Sequence, residues 1–587
     1  MRGKTKKIAV AAVIAVALMT VAACVLVTGM PDIYEEMVPM RDGTKLYTCG
    51  SRPRRGEKLP VIIARTPYVD EMGGADKSTI RTMAIGARMR GYLCLLQHCR
   101  GCGRSEGDFI PFEAERNDGL DLLDWIRKQP WYNGEIFLLG GSYHSSVHWA
   151  YLDTNPPDVK GAVLPIMDVD RYGMDYRNGI FKIGLFGAWS KLVYRRKDKT
   201  LKRDESVKLT DFPLADWVRR YFGVDEPTFD NVMAHPRRDD PFWLSDAPGS
   251  GASFRRGFLD SKMPILLVTG AYDMFCDGMS AMWRETPRER LANCSFVVDA
   301  YDHDGRLADE LKGTRGAFPN GERIANPAKL LDWFDYCRTG KPCDWAQPGK
   351  VRFYSLWEDR WLGEEAISDG PRRVELRLGE GRRSWTYDPK RALPDFPGSG
   401  GMNFSGMRAQ PKPDFRDDVV SFVLPPAEES LDLRGRMKAA LTVTSDCEDT
   451  AFFMRVSVDK GDGRWYSLRD DITTMCADGT DYAPGTEKTL DFEFHTLAFR
   501  LEKGDRLRVD VSSASSQFAP HGNVKGNQNY VREPKVAHNA VDAGKSKLVL
   551  CAADSSRSQT TRPSQTASPS APISLRSRPA RGRRSSR

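Results

Sequence analysis

The sequence predicts an α/β domain with a mostly parallel sheet, followed by an antiparallel β-sandwich. Three features of the chain lead to this prediction. From about residue 31 to 340, short apolar runs alternate with amphipathic stretches. The alternation fails between about 168 and 258, and after about 345 it gives way to segments with a period of two. With 587 residues, the chain is long enough for two or more domains.

The strands of the α/β domain are predicted from short apolar runs. Helix-like segments cover residues 79–91 and 117–129, and Leu120, Leu123 and Ile126 fall near one face of the second. Strands that alternate with amphipathic helices favour a parallel sheet. The runs are VIIA, YLCLLQ, IFLL, AVLPI, ILLV and SFVV, at residues 61–64, 92–97, 136–139, 162–166, 265–268 and 295–298.

Charged and aromatic residues dominate the stretch from about 168 to 258, which we interpret as a helical cap inserted over the carboxyl edge of the sheet. Beyond this, segments such as RVELRL, AALTVTS and DRLRVDVSS alternate in polarity between Gly, Asp and Pro turns, which is typical of a jelly roll. The predicted units are a signal or anchor segment (1–30), the α/β domain (31–344, cap about 168–258), the jelly-roll β-sandwich (345–550) and a disordered Ser/Arg/Pro-rich tail (551–587).

The formal charge of +8 is concentrated at the two ends of the chain. Residues 1–24 carry four Lys or Arg and no acid, and residues 551–587 carry eight Arg and one Asp, so the body is close to −3. A basic face for nucleic acid is therefore not indicated. The tail is either native or the product of a frameshift, and the sequence leaves both open.

The N-terminus predicts export. Basic residues precede an uncharged run of 20 residues, 8–27, which is just long enough to span a bilayer. VAAC, ending at Cys24, resembles a bacterial lipobox. A lipoprotein, an uncleaved anchor and a cleaved signal are the three alternatives, of which the lipoprotein is slightly favoured. Each would place the body outside the cytoplasm, attached to a membrane in the first two cases.

The chain has 12 cysteines, and export would permit disulfides. Cys337 with Cys343 and Cys447 with Cys476 are candidate pairs, and buried free thiols are an equal alternative. CRGC, at residues 99–102, is formally a C-x-x-C motif. A zinc site would require a second pair at similar spacing, which the sequence lacks, so we expect no metal.

The segment IFLLGGSYHSS, residues 136–146, carries the first candidate functional residue. An apolar run ends at two glycines, Ser142 follows, and the chain then reads as the start of a helix. This is the pattern of the nucleophile of an α/β-hydrolase, which occupies a strained turn between strand and helix. His144 replaces the last glycine of the usual G-x-S-x-G, and a plain loop serine is the alternative.

Chain order supplies the partners of Ser142. In such hydrolases the acid and then the histidine follow the serine. Asp273 ends the ILLVTGAYD run, and His303 follows the last predicted core strand. The remaining distal histidines, His495, His521 and His538, lie in the β-rich region. His303 would accept the serine proton, and Asp273 would hold the imidazole in the required tautomer.

Many ordered motifs resemble the cocaine esterase / Xaa-Pro dipeptidyl-peptidase family of serine hydrolases. The resemblance extends over roughly residues 35 to 550. It is strongest at 117–143, which reads NDGLDLLDWIRKQPWYNGEIFLLGGSY. The other motifs are VPMRDGTKLYT, ARTPY, RGCGRSEGDF, HPRRDDPFW, TGAYDMF, AYDHDG, TSDCEDTAF and GDRLRVDVSSAS.

This resemblance implies an α/β-hydrolase core with an inserted cap, followed by a jelly roll. It also implies a G-x-S-Y-x-G elbow, in which His144 is acceptable and Ser145 replaces a glycine. The oxyanion hole would consist of the Tyr143 backbone N–H and the Tyr68 phenol. His98 stands where the family usually has an aspartate, so the local packing there is expected to differ.

The sequence therefore predicts an exported serine hydrolase that needs no cofactor and forms an acyl-enzyme on Ser142. Its expected substrate is a small ester or amide, or a short peptide. The alternative is an Xaa-Pro dipeptidyl-peptidase, which needs carboxylates to hold a free amine. A more distant alternative is a non-catalytic surface binding protein. Asp168, Asp170, Asp175 and Asp277 are near the expected site but are not assigned a role.

Overall fold

The computed structural model describes residues 32–69, 77–187, 189, 203–305, 327–364, 367–398 and 407–554. The predicted export segment and all but the first four residues of the predicted tail lie outside these ranges. No helix in the described part of the chain is long and apolar enough to cross a membrane.

A ten-stranded sheet forms the centre of the first part, in the order β1-β2-β4-β3-β5-β6-β9-β10-β11-β12. In this order the seven strands from β4 to β11 are parallel, and antiparallel strands flank them at both edges. The α/β prediction is therefore confirmed. The strands are β1 (Ile33–Pro39), β2 (Lys45–Ser51), β3 (Leu59–Thr66), β4 (Leu93–His98), β5 (Tyr132–Leu139), β6 (Val159–Val163), β7 (Tyr176–Arg177), β8 (Ile180–Phe181), β9 (Ile265–Tyr272), β10 (Cys294–Asp302), β11 (Lys350–Ser355) and β12 (Arg360–Glu364).

Helices connect and cover these strands, as expected for parallel neighbours. Apolar side chains of the sheet and helices form the core of this first part of the chain. Among them are Ile63, Leu138, Trp149 and Leu267, all fully buried. The helices are α1 (Lys77–Met89), α2 (Glu115–Arg127), α3 (Tyr143–Trp149), α4 (Arg171–Asp175), α5 (Trp217–Phe222), α6 (Pro227–Ala234), α7 (Ala252–Leu259), α8 (Cys276–Glu285), α9 (Arg288–Leu291) and α10 (Pro327–Thr339).

The predicted cap lies between β6 and β9 and has its own aromatic core. Tyr176, Trp217, Phe229 and Trp243 are buried in it. The cap contains α4 to α7, short 3-10 turns and also the small antiparallel pair β7–β8, which the sequence did not indicate. It contacts the C-terminal part directly, because Arg177 forms a 2.6 Å ion pair with Asp471.

The C-terminal part is a β-sandwich of antiparallel strands, as predicted. One sheet has eight strands and the other has four. Buried residues of both sheets, such as Leu441 and Val509, pack in the core between them. The strands are β13 (Arg372–Arg377), β14 (Arg382–Tyr387), β15 (Val419–Val423), β16 (Leu431–Gly435), β17 (Lys438–Ser445), β18 (Ala451–Asp459), β19 (Tyr466–Thr474), β20 (Lys488–Glu493), β21 (Leu497–Leu501), β22 (Arg506–Ser512), β23 (Ala537–Asp542) and β24 (Lys547–Ala552).

Two predicted boundaries differ from the structure. The segment after residue 345 does not enter the sandwich at once, because β11 pairs in parallel with β10 and β12 follows it in the ten-stranded sheet. The last strand of the sandwich also continues to Ala552, two residues into the predicted tail. Pairing of Cys551 and Ala552 with β13, and of Ala552 with β16, accounts for this extension, since neighbouring strands satisfy its backbone groups.

The two proposed disulfides are wrong, since Cys337, Cys343, Cys447 and Cys476 are free. The last two thiols point to different acceptors: that of Cys447 donates to the Val536 carbonyl, and that of Cys476 to the Glu448 carbonyl, each at 3.5 Å. The cysteines at 99 and 102 are both buried. In the described ranges, no group of three or more His, Cys, Asp or Glu side chains could hold a metal ion.

Candidate active site

Ser142 lies in the tight turn between β5 and α3. Its backbone adopts φ 56° and ψ −131°, a conformation that costs a non-glycine residue energy and that is typical of functional sites. Gly140 permits the close approach of strand and helix, because a Cβ there would lie 2.4 Å from the His144 carbonyl oxygen. The turn is anchored to β6, since the Ser142 N–H donates to the Pro165 carbonyl at 3.0 Å.

The two residues that depart from the simple elbow pattern both make defined contacts. The Ser145 hydroxyl is fully buried and is 2.5 Å from the Gly140 carbonyl oxygen and 3.0 Å from that of Pro165, so it ties strand to helix. His144 Nε2 is 2.6 Å from the Thr66 hydroxyl. Burial lowers the pKa of His144 to about 4, so its ring is neutral near pH 7.

The structure brings the three predicted residues into one chain of hydrogen bonds. Ser142 Oγ is 3.1 Å from His303 Nε2, and His303 Nδ1 is 2.9 Å from Asp273 Oδ1. Asp273 directly follows β9 and His303 directly follows β10. Because parallel strands end at the same edge of the sheet, residues far apart in sequence meet there.

The Asp273 carboxylate is held by two further donors. The Thr269 hydroxyl donates to Oδ2 at 2.6 Å, and the Phe275 N–H donates to Oδ1 at 3.1 Å. The Asp273 side chain is fully buried, while that of His303 is 18% exposed. The carboxylate therefore has a fixed orientation, and the imidazole remains accessible from the adjoining pocket.

The charge of Asp273 determines the basicity of His303. Burial by itself lowers the pKa of His303, but the charge of Asp273 and its hydrogen bond raise it more. The net pKa of His303 therefore lies above its ordinary value of 6.5. The imidazole can accept a proton from a hydroxyl and hold it as imidazolium beside the carboxylate.

Tyr143 and Tyr68, the predicted oxyanion donors, both border the pocket that contains Ser142. Tyr143 is the first residue of α3, so its backbone N–H lies at the helix N-terminus, where the helix supplies no acceptor. Its phenol is occupied elsewhere, because it donates to Glu115 Oε1 at 3.0 Å. The Tyr68 phenol oxygen accepts a 3.1 Å hydrogen bond from the indole N–H of Trp189.

The pocket has a volume of about 350 Å³ and mostly apolar walls. Three charged residues also border it: Asp304, which is exposed, and Arg171 and Asp175, whose Nη1 and Oδ1 atoms are 2.9 Å apart. The apolar side chains around the serine are Phe112, Ile166, Met167, Met174, Leu185, Trp189, Met274 and Phe275. The site thus offers a nucleophile in a mostly apolar pocket, with one buried ion pair and one exposed carboxylate at its border.

The other histidines have separate partners. His98 packs against the Tyr47 ring at 4.5 Å, which fills the place where an aspartate was expected. His148 Nδ1 is 2.8 Å from the Tyr151 hydroxyl. Asp277, one of the unassigned acids, forms a 2.9 Å ion pair with His495. None of these residues lines the pocket of Ser142.

Sequence reasoning missed three residues that contact or border the site: Thr269, Trp189 and Arg171. The position of Thr269 four residues before Asp273, in TGAYD, was the only local signal for it. Trp189 and Arg171 belong to the cap, where neither a regular period nor a motif marks individual positions. Their roles depend on how the cap packs over the sheet.

Comparisons with known proteins cover both parts of the chain. Residues 42–304 match the model of the X-Pro dipeptidyl-peptidase (S15 family), and residues 344–549 match that of the X-Pro dipeptidyl-peptidase C-terminal non-catalytic domain. Cocaine esterase from Rhodococcus sp. strain MB1 Bresler is 25% identical over 531 residues, which is 82% of this chain and 90% of that enzyme.

Two solved structures share the fold over 89% of this chain. An α-amino acid ester hydrolase has a TM-score of 0.71 at 18% identity, over 89% of this chain and 97% of that one. An aminopeptidase from a marine sediment Thaumarchaeota archaeon has a TM-score of 0.70 at 16% identity, over 89% and 96%. The chain thus belongs to the cocaine esterase / X-Pro dipeptidyl-peptidase family of serine hydrolases, which cleave ester or amide bonds.

Proposed function

We propose that this hydrolase cleaves esters of uncharged, apolar carboxylic acids through an acyl-enzyme on Ser142. One observation carries the proposal: the Ser142–His303–Asp273 hydrogen-bond chain opens into a pocket with mostly apolar walls. A serine hydroxyl needs an adjacent base to act as a nucleophile, and His303 is at the required distance.

In the proposed reaction, Ser142 Oγ attacks the ester carbonyl while its proton moves to His303 Nε2. The resulting imidazolium is stabilised through its Nδ1–H by Asp273, at 2.9 Å. Collapse of the tetrahedral intermediate breaks the bond to the leaving alcohol, which takes the proton from His303. Water then attacks the acyl-enzyme, with His303 again accepting and returning a proton, to release the acid and free Ser142.

The negative charge on the tetrahedral intermediate needs donors that are in place before it forms. The Tyr143 backbone N–H and the Tyr68 phenol are the proposed donors, because both border the same pocket as Ser142. Fixed donors stabilise the charge as it develops without a reorganisation cost, and losing one typically reduces the rate by about 10²–10³.

The buried charge pair of the pocket favours an uncharged acyl group over one with a free amine, and the third charged residue at its border, Asp304, is exposed to solvent. A carboxylate that binds an ammonium group must be able to offer its charge to the substrate. Asp175 is buried and already paired with Arg171 at 2.9 Å, so its charge is largely compensated within the protein. The apolar walls then select the acyl group of the substrate by its shape and by hydrophobic contact.

An X-Pro dipeptidyl-peptidase is the second candidate. It is favoured by the fact that Asp175 Oδ2 is buried and has no hydrogen-bond partner among the described residues. That oxygen could accept from the amine of a peptide substrate. The ester remains the preferred substrate, because the other oxygen of this carboxylate, Oδ1, is already paired with Arg171.

The test compares 4-nitrophenyl butyrate with Ala-Pro-4-nitroanilide, using Ser142→Ala as the control. We expect turnover of the ester that disappears in Ser142→Ala, with little release from the anilide. Serine-dependent release from the anilide would instead favour the dipeptidyl-peptidase. Turnover that survives in Ser142→Ala, or no turnover of either compound, would contradict the proposed chemistry and favour a binding role.

We also propose that the hydrolase body is exported and attached to a membrane through its N-terminus. The basic residues before the uncharged run, and the VAAC segment ending at Cys24, support this proposal. In a bacterial host, we expect the full chain to fractionate with membranes and Cys24→Ser to lose a lipid label. A chain that stays in the cytoplasmic fraction would contradict export.

A further inference from the structure

The Tyr68 phenol is linked to the cap by a hydrogen bond. Trp189, a cap residue, donates its indole N–H to the phenol oxygen at 3.1 Å. Tyr68 follows β3 in the core domain, so this contact joins two parts of the molecule that are 121 residues apart in sequence. Both residues border the pocket of Ser142.

This direction of donation has a chemical consequence. A phenol has one proton to donate, and its oxygen can accept as well. Because the oxygen accepts from Trp189, the phenolic proton is directed away from the indole. Accepting a hydrogen bond also polarises a hydroxyl and strengthens its own donation.

We propose that Trp189 is a positioning residue that orients and polarises the Tyr68 phenol as a donor to the oxyanion. The inference rests on the proposed function, in which Tyr68 stabilises the tetrahedral intermediate. It assigns the cap a role in catalysis beyond forming a pocket wall. A displaced cap would leave Ser142 and His303 in place but would remove the partner of the phenol.

The indole is itself held against the core side of the site. Its ring stacks on Tyr143, with centroids 5.8 Å apart and planes 21° apart, and on Phe112, at 5.6 Å and 20°. Tyr143 carries the other proposed oxyanion donor on its backbone. One side chain of the cap therefore contacts both residues that would stabilise the oxyanion.

The backbone and the ring of Tyr68 are held by Thr66 and His144. Its backbone N–H donates to the Thr66 hydroxyl at 3.0 Å, and the same hydroxyl is 2.6 Å from His144 Nε2. The His144 ring packs edge-on against the Tyr68 ring at 5.3 Å. With backbone and ring held, the remaining freedom of the phenol is rotation of its hydroxyl, and Trp189 restricts this rotation.

The first experiment replaces the indole by a ring that stacks but cannot donate. Trp189→Phe is expected to lower kcat for 4-nitrophenyl butyrate about three- to tenfold, the effect of losing one hydrogen bond, with KM changed by less than twofold. The matched control is Trp243→Phe, which removes an indole N–H that donates to the Arg237 carbonyl at 3.0 Å elsewhere in the cap. We expect its kcat to be unchanged.

A double-mutant cycle with Tyr68→Phe then separates positioning from packing. If Trp189 acts through the phenol, Trp189→Phe has no further effect on kcat in the Tyr68→Phe background. Equal losses in both backgrounds would overturn the inference and leave the proposed function intact. If Tyr68→Phe alone has no effect while Ser142→Ala is inactive, the inference also fails, because Tyr68 is then not an oxyanion donor.

Discussion

Arg171 and Asp175 form an ion pair across one turn of α4, with Arg171 Nη1 2.9 Å from Asp175 Oδ1, inside the pocket that contains Ser142. Their side chains are only 4% and 0% exposed. The Arg171 guanidinium also lies over the Phe112 ring, 4.7 Å from its centroid. The two buried charges compensate each other within the protein, which is the basis for proposing an uncharged substrate.

Removing only one partner of this ion pair is predicted to destabilise the protein. Arg171→Met leaves the Asp175 carboxylate buried without its cation, which typically costs about 3–5 kcal/mol. Urea unfolding followed by circular dichroism measures the loss. The double variant Arg171→Met/Asp175→Leu is the control and should regain most of the stability. Wild-type stability in the single variant would show that the pair is not a buried, charged one.

The pH dependence of activity is predicted from His303. Only neutral imidazole can accept the Ser142 proton, and the pKa of His303 is raised above 6.5 by Asp273. We therefore expect kcat/KM for the ester to fall as the pH drops through that pKa. Asp273→Asn removes the raising charge, so the acid limb should move to lower pH while the rate falls by about 10⁴. An acid limb that stays in place in Asp273→Asn would contradict the pairing of these two residues.

Thr269 is predicted to position the Asp273 carboxylate. Its buried hydroxyl donates to Oδ2 at 2.6 Å. Thr269→Val keeps the shape but removes a hydrogen bond to a charged group, which is worth about 1.5–3 kcal/mol. We expect kcat to fall at least tenfold with little change in KM. Thr269→Ser retains the hydroxyl and should recover most of the activity; if serine does no better than valine, the hydrogen bond is not the cause.

Two buried histidines are predicted to make the fold sensitive to acid. Burial lowers the pKa of His144 to about 4 and that of His148 to about 3, against 6.5 in an unfolded chain. The unfolded state therefore binds more protons below pH 6.5. The stability from these neutral rings is fully present above pH 6.5 and is lost as the pH falls through 6.5 towards 4 and 3.

The expected loss approaches about 1.4 kcal/mol per pH unit for each of these histidines. Urea titrations at pH 7, 6 and 5 measure this slope. His148→Gln should make this slope shallower by about 1.4 kcal/mol per pH unit, the contribution of one histidine. Equal slopes in the wild type and in His148→Gln would mean that His148 is not buried in its neutral form.

Much of the site could be predicted because its residues follow strand ends in a known chain order. Ser142, Asp273 and His303 were each identified from an apolar run and the residues directly after it. The sandwich was predicted from its period of two, which is a local property. That residues 350–364 pair in the ten-stranded sheet could not be predicted, because strand polarity does not reveal which sheet an edge strand joins.

The sequence by itself determined the α/β architecture, the family and the positions of the nucleophile, acid and base, since these depend on local periodicity, motif spacing and chain order. Only the tertiary structure decided which side chains surround them. The 3.1 Å contact of Trp189 with Tyr68, the pairing of Arg171 within the pocket and the free thiols all depend on packing between distant segments. Such contacts arise from the summed packing of cap, core and sandwich, which no local pattern encodes.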